Sequence, residues 1–215
     1  MHVGVSVRCV FKKTMQGFTA EKAAAMADGE TMILTDERDN SSYQVTKIGS
    51  KVWMTQNLRI MGTISAASSN FTGNDFNVSA GDLSSGNSFD LVRSHYDGDA
   101  SKGAWYNYCA ASAGTVCFGG RPATADSDIC PKGWRMPEYS EMQPIVNSKG
   151  NNFNVIIIGY YSNGSLNNRY SGSYWWGRGA ATTNSNYSLQ IYMDDWSSYY
   201  MQRDLGLSIR CVFKS

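Results

Sequence analysis

Apolar positions in this chain recur in short alternating runs set between long polar, glycine-rich stretches, and helical spacing is rare. Thr19-Ala-Glu-Lys-Ala-Ala-Ala-Met-Ala27 predicts a short helix, with Thr19 as N-cap, alanines in the body and Asp28-Gly29 as the stop. Ser42–Ile48 and Lys51–Met54 flank Gly49-Ser50, and Tyr43, Val45 and Lys47 alternate against Gln44, Thr46 and Ile48, which predicts a β-hairpin. From about Gly62 to Lys102 the chain is rich in Ser, Gly, Asn and Asp with isolated Phe, Leu and Tyr. A stretch of that length without periodicity is a functional loop or an ordered coil stapled by aromatics. Cys130-Pro-Lys-Gly-Trp-Arg-Met-Pro137 reads as a rigid turn before a helix around Ser140–Asn147, with Pro144 in or near the first turn, where a missing amide hydrogen is tolerated. Val155–Ile158 predicts a buried strand, Asn163-Gly164 a turn, and Tyr187–Met193 and Leu207–Phe213 further strands. Few helices, many short strands and long coil predict an α+β domain with two short helices and a small twisted antiparallel sheet.

The end of the chain repeats its beginning. Gly206-Leu-Ser-Ile-Arg-Cys-Val-Phe-Lys-Ser215 matches Gly4-Val-Ser-Val-Arg-Cys-Val-Phe-Lys-Lys13 at seven of ten positions. Two unrelated amphipathic strands would not share the unbroken Arg-Cys-Val-Phe-Lys run. A terminal strand at both ends predicts a repeated module, with residues 1–13 as the remnant strand of one copy and residues 14–215 as a complete domain. Self-association through that N-terminal strand is expected: it pairs with the terminal strand or fills the same slot in a neighbouring molecule.

A formal net charge of +1 leaves no electrostatic footprint for nucleic acid or an anionic membrane. Thirteen Tyr and six Trp are too many for a disordered chain, so a real core is expected. No apolar run reaches the length of a membrane span, so no membrane insertion is expected. Met1-His-Val-Gly starts directly in a strand-like segment, so any export leader is expected upstream. None of the five cysteines (9, 109, 117, 130 and 211) forms a C-x-x-C pair, and the only histidines are His2 and His95, which argues against zinc. Two bridges and one free thiol allow about fifteen arrangements. The repeat makes Cys9 and Cys211 equivalents, so Cys9's partner is expected in an upstream copy, leaving Cys109–Cys117 as a short bridge and Cys130–Cys211 as a long one. Two bridges would imply an oxidising compartment; five reduced cysteines in a cytosolic protein are the alternative.

Several segments together resemble a known family: Leu34-Thr-Asp-Glu-Arg-Asp39, Tyr43-Gln-Val-Thr-Lys-Ile-Gly49, Val52-Trp-Met-Thr-Gln-Asn-Leu58, Cys130–Pro137, Tyr174-Trp175 and Gly206–Cys211. They resemble the Fibrobacter succinogenes major paralogous domain, a bacterial surface-associated family often found in tandem. The resemblance covers nearly all of residues 14–215. It implies a C-type-lectin-like fold, similar to that of formylglycine-generating enzymes, with neighbouring termini and a long irregular loop region. It also implies a Cys130–Cys211 bridge and an extracellular or cell-surface location. Where family members continue the Tyr-Trp pair with two serines and a threonine, this chain has Trp176-Gly177-Arg178. The following region resembles the variable region of proteins diversified by a retroelement, whose surfaces are rich in Tyr, Ser, Asp and Asn.

Aromatics supply rigid contact area, and small polar residues adapt their hydrogen bonds, as in antibody loops. Residues 174–204 have that composition, and the expected ligand-binding set is Tyr174, Trp176, Arg178, Asn184, Asn186, Tyr187, Tyr192, Asp194, Asp195, Trp196, Tyr199, Tyr200 and Arg203. An ordinary solvated sheet rim with half the aromatics buried is the bland alternative. The ligand is an unidentified protein or glycan. Trp53, Trp134 and Trp175 are expected in the core, and Trp105-Tyr106-Asn107-Tyr108 as a loop anchor beside Cys109–Cys117. No cofactor is expected. Asp97-Gly-Asp99, Asp126-Ser-Asp128 and Asp194-Asp195 offer oxygen ligands for a structural calcium, but match no EF-hand spacing. Two rival functions are a tandem structural or adhesin module without a dedicated variable site and an enzyme related to formylglycine-generating enzymes. Neither the scattered cysteines nor the lone His95 favours catalysis.

Overall fold

The computed structural model describes residues 13–118, 123–193 and 195–214. Residues 4–12 of the N-terminal repeat, with Cys9, lie outside the described residues, as does Asp194. The described chain is an α+β arrangement of small antiparallel sheets with three short α-helices, one more than expected.

Helix α1 spans Ala20–Ala25, with the Thr19 hydroxyl accepting from the Lys22 amide at 3.4 Å. Strand β1 is Thr31–Thr35, and the predicted hairpin follows as β2 (Ser42–Ile48) and β3 (Lys51–Met54), with Ile48 opposite Lys51 across the two-residue turn. The glycine-rich stretch is an ordered coil. It holds β4 (Thr63–Ile64), β5 (Phe76–Asn77), β6 (Ser94–His95) and two single 3-10 turns, with Val78 and Leu83 fully buried. Strand β7 (Trp105–Tyr106) leads into helix α2 (Tyr108–Ala111), whose first turn is capped by Asn107 Oδ1 accepting from the Ala110 amide at 2.9 Å. All four residues of the predicted Trp105–Tyr108 anchor are fully buried beside the Cys109–Cys117 bridge.

Strand β8 (Trp134–Arg135) precedes helix α3 (Tyr139–Asn147). The helix begins one residue earlier than expected, which puts Pro144 in its second turn, where the Ser140 carbonyl has no helical amide to accept from. Val155–Ile158 is not a strand. Its backbone bonds to a side chain instead: Ser173 Oγ accepts from the Ile158 amide at 2.9 Å and donates to the Ile156 carbonyl at 2.6 Å. Only Ile158 of the four is buried. The Asn163-Gly164 turn joins β9 (Tyr160–Ser162) to β10 (Ser165–Asn167), with φ of 51° and 74° at its two residues, the signature of a type I′ hairpin.

A second sheet contains β11 (Gly172–Ala180), β12 (Ser185–Tyr192) and β13 (Asp195–Gln202), in that order. Register shifts between Trp176 and Ala180, where Gly177 passes so close to α3 that an added Cβ would lie 2.0 Å from Met142 Cε. The chain closes with β14 (Val212–Phe213), inserted between β3 and β8 in the order β1-β2-β3-β14-β8. The predicted strand Leu207–Phe213 is therefore split. Ser208 exchanges backbone bonds with Tyr174 and Trp176 of β11, the Ile209 carbonyl accepts from Leu58, and from Cys211, whose carbonyl accepts from Met54 of β3, the chain pairs within the first sheet. The segment is a seam between two sheets and follows no single ladder.

Both expected disulfides are present, Cys109–Cys117 and Cys130–Cys211. The second spans 81 residues; closing such a loop contributes about 4–5 kcal/mol in the chain-entropy model. No helix among the described residues is long and apolar enough to cross a membrane.

Trp53, Trp134 and Trp175 are each at most 2% exposed, as expected of core residues. At the centre lies Arg210, also buried. Its Nε donates to Asn57 Oδ1 at 2.7 Å, Nη1 to the Phe153 carbonyl and Nη2 to the Asn154 carbonyl at 3.0 Å. The guanidinium lies 4.5 Å from the Phe153 ring and 4.9 Å from that of Trp175. Asn57 Oδ1 also accepts from Trp175 Nε1 at 2.7 Å, and Asn57 Nδ2 donates to the Lys102 carbonyl at 2.7 Å. Burial draws the arginine's pKa down to about 9, so it stays charged at neutral pH.

Asn57→Ala leaves two buried donors without their acceptor, so urea unfolding should show a loss of about 3 kcal/mol. A second prediction concerns Glu141, which grips Arg135 through two bonds of 2.7 Å and accepts from the Glu138 amide at 2.8 Å. Burial alone would raise its pKa, but these donors outweigh burial and hold it below 4.5. A depressed carboxylate stabilises the fold above the unfolded value, and that contribution is lost as pH falls through the folded value. Unfolding measured below pH 4.5 should therefore show a shallower acid loss in Glu141→Gln than in the wild type.

Candidate functional site

The β11–β13 sheet is covered on one face by α3. Trp175, Leu189 and Ile191 pack there with Met142, Ile145 and Phe153, and Trp196 lies parallel to Trp175 with centroids 6.3 Å apart. Gln143 of α3 donates to Ser198 of β13, and Tyr139 meets Tyr187 with ring centroids 4.4 Å apart. Residues directly opposite in an antiparallel ladder share a face, so Ser188 with Tyr199, Gln190 with Ser197 and Tyr192 with Asp195 occupy the other face. Here the sheet divides. Over β11 this face is interior: Trp176 is fully buried, its Nε1 donating to the Tyr106 carbonyl at 2.7 Å and its ring edge-on to Tyr108. Over β13 and the Gln190–Tyr192 end of β12 it opens to solvent, while Asn186 and Ser188 of β12 stay buried.

The predicted contact set splits accordingly. Trp176, Tyr174, Asn186 and Arg203 are buried, so none is an exposed contact residue; this corrects the sequence expectation. Tyr174 packs edge-on to Tyr160 and accepts from Asn168 Nδ2 at 2.7 Å. Asn186 Nδ2 donates to the carbonyls of Ala123 and Gly179, while its Oδ1 accepts from Arg203 Nε at 2.5 Å. Arg203 also donates to the Phe118 carbonyl at 3.0 Å. The physical reason is that β11 is enclosed on both faces, and the Asn186–Arg203 pair fastens loops beneath the sheet. Arg178 is half-buried, 3.3 Å from Glu138 and donating to the Ala125 carbonyl at 3.2 Å. Tyr187 and Trp196 are half-buried, and Asn184 and Asp195 are exposed.

The exposed aromatics are Tyr192, Tyr199 and Tyr200, at 39%, 51% and 42%. The Tyr199 and Tyr200 rings stack with centroids 4.4 Å apart, and the bond from Tyr200 raises the pKa of the Tyr199 phenol. Gln190 Nε2 donates to Ser197 Oγ at 2.8 Å, between the Tyr199 and Tyr192 positions on the same face. The result is a strip of phenols, hydroxyls, an amide and one carboxylate on a two-stranded ribbon, suited to stacking and hydrogen bonding. Tyr170, 83% exposed, and Met193, 70% exposed, extend it, because the Met193 amide bonds to the Ser171 carbonyl at 2.8 Å. Sequence reasoning passed over both; the Asn-Asn-Arg-Tyr turn before β11 was the available sign of Tyr170.

Other candidate chemistry is occupied. Lys102 pairs with Asp97 at 2.7 Å and with Asp99 at 3.5 Å. Asp128 is buried, accepts from the Cys130 and Met136 amides at 3.0 and 2.9 Å, and burial raises its pKa, while Asp126 faces solvent. Among the described residues no group of three or more His, Cys, Asp or Glu could hold a metal. His95 Nδ1 lies 3.0 Å from Asp82 Oδ1, with its ring against Tyr161. A hollow of about 560 Å³ is lined by residues of α1, β1 and their flanks and by none of the predicted set. No family model, curated protein or solved structure matches the chain.

Trp176→Ala should lower stability in urea by about 3–5 kcal/mol. Tyr192→Ala, Tyr199→Ala and Tyr200→Ala should each change it by no more than about 0.5 kcal/mol.

Proposed function

We propose that the protein is a non-catalytic recognition module that binds a protein or glycan ligand through the open ribbon of β12 and β13. One observation carries the reading: Tyr192, Tyr199 and Asp195 stand exposed on the face of β12 and β13 turned away from α3, and Tyr200, opposite Tyr187 on the α3 side, stacks its exposed ring on Tyr199. Rigid support lowers the entropy lost on binding, and tyrosine gives large contact area with few rotatable bonds. The contact set is then Tyr192, Asp195 and Tyr199, with Tyr200 stacked beside Tyr199 and Arg178 and Asn184 at its margins, while Tyr187 and Trp196 pack on the α3 side. The buried members of the expected set act as scaffold.

On this reading the scaffold is C-type-lectin-like and belongs to the surface-associated paralogous family described above. Its support is the position of the chain's last strand inside the first sheet and the bridge from Cys130 to Cys211. Two disulfides favour an oxidising, extracellular setting. Retroelement diversification of the ribbon is part of the same proposal and predicts, beside the gene, a near-copy of codons 174–211 with adenines at the differing positions.

Glycan and protein arrays probed with the intact protein identify a ligand. The variant Tyr192→Ala/Tyr199→Ala/Tyr200→Ala should then lose at least about tenfold in affinity, as for clustered hot-spot residues, with an unchanged unfolding midpoint. Full binding by that variant would refute the ribbon as the site.

A further inference from the structure

The slot filled by Gly206–Lys214 makes specific demands. Gly206 must be glycine, because a Cβ there would lie 2.4 Å from Leu83 Cδ1 and 2.9 Å from Tyr161 Cβ. Arg210 must reach Asn57 and the carbonyls of Phe153 and Asn154, and Cys211 must meet Cys130. Val212 lies between Trp53 and Arg135, the Phe213 ring sits 4.9 Å from that of Phe18, and the Lys214 amide donates to the Gly133 carbonyl at 3.0 Å. Gly4–Lys12 supplies the same residue at every one of these places: Gly4, Arg8, Cys9, Val10, Phe11 and Lys12. Ser6 repeats Ser208, and Val5 and Val7 replace Leu207 and Ile209 with smaller side chains of the same kind.

The geometry points to Gly4–Lys12 as an alternate occupant of this slot in the same chain, with Cys9 taking the place of Cys211 on Cys130. The connection favours the same chain. A segment ending at position 12 in the seat of Lys214 must continue directly into Lys13 and Thr14. The described chain starts beside that seat: Gln16 and Lys214 line one hollow, and Trp134 Nε1 donates to the Met15 carbonyl at 2.9 Å. A donor from a second molecule would emerge where the acceptor's own Thr14–Gln16 already lies.

Covalently, the Cys9 thiolate attacks Cys130 Sγ, the Cys9–Cys130 bond forms as Cys130–Cys211 breaks, and the Cys211 thiolate leaves and is protonated by solvent. One disulfide is exchanged for another, and no oxidant is consumed. The methylenes missing at Val5 and Val7 favour the resident strand by about tenfold or more, so the alternate state is the minor one.

The test is to refold the full-length reduced chain at low concentration in a glutathione redox buffer, isolate monomers by size exclusion and map their disulfides without reduction. Monomers of the wild type should contain a minor Cys9–Cys130 linkage, and Cys211→Ser should convert it to the main one. In the Cys211→Ser background, Arg8→Ala should lower the yield of that linkage about tenfold, as for loss of a charged hydrogen-bonding group, while Arg210→Ala, which weakens only the competing resident strand, should not lower it. Absence of Cys9–Cys130 from monomers of both wild type and Cys211→Ser overturns the proposal. So does its appearance only between chains, which would make a second copy the acceptor, or equal sensitivity to both arginine substitutions.

Discussion

A buried guanidinium whose partners are amide and carbonyl oxygens, not a carboxylate, is the constraint on which this structure depends. An ion taken out of water is tolerated only when its donors are met with good geometry. Arg210 meets that condition by drawing together four separate stretches of chain: Asn57 after β3, the Phe153–Asn154 carbonyls after α3, the Trp175 face in β11, and its own terminal segment. Asn57 is the hinge of the arrangement, since its one oxygen serves both Arg210 and Trp175. The first and second sheets are thereby positioned relative to each other by polar contacts with fixed directions, which apolar packing alone would not impose. Arginine suits the place because its planar fork offers several donors and its flat faces stack on rings.

That fixed geometry separates support from surface within one sheet. β11 lies between α3 on one face and Tyr106 and Tyr108 on the other, with Ser208 paired along its edge, and six consecutive residues from Gly172 to Gly177 are buried. β13 at the sheet's edge packs through Trp196 and Ser198 and exposes Asp195, Tyr199 and Tyr200. Substitutions in β11 disturb the core from both sides, whereas those on the open face of β13 meet mainly solvent.

Local chemistry was legible in the sequence, and tertiary chemistry was not. The Thr19 cap, the Gly49-Ser50 hairpin and the Asn163-Gly164 turn are set by residues close in sequence, and all three are present. The repeat singled out Cys9 and the family resemblance pointed to Cys130–Cys211, and both expected disulfides are present. Val155–Ile158 failed because a run of four apolar residues does not distinguish a strand from extended coil held by a side chain such as Ser173. Leu207–Phe213 failed because its partners change midway between two sheets. In the candidate site the clustering of aromatics could not tell the buried Trp176 from the exposed Tyr199. A strand buried on both faces has no alternating pattern to read, so adjacent Trp175 and Trp176 both belong to the core. Asn186 and Arg203 looked like adaptable contact residues because nothing local shows that they bond to each other.

The edge of the second sheet is itself informative. An eight-residue edge strand invites pairing with other chains, and natural proteins shield such edges with lysine, proline or bulges. β13 contains no lysine and no proline, and its pairing with β12 runs without a bulge from Asp195 to Gln202. What it carries is Asp195 at one end and tyrosine and serine along its length, residues that stay soluble while offering stacking faces and hydroxyls. A strand whose only task was structural would gain from a lysine on this edge and lose nothing. Leaving the edge open retains backbone donors and acceptors beside the phenols, and both kinds of group are what a ligand laid along the ribbon would use.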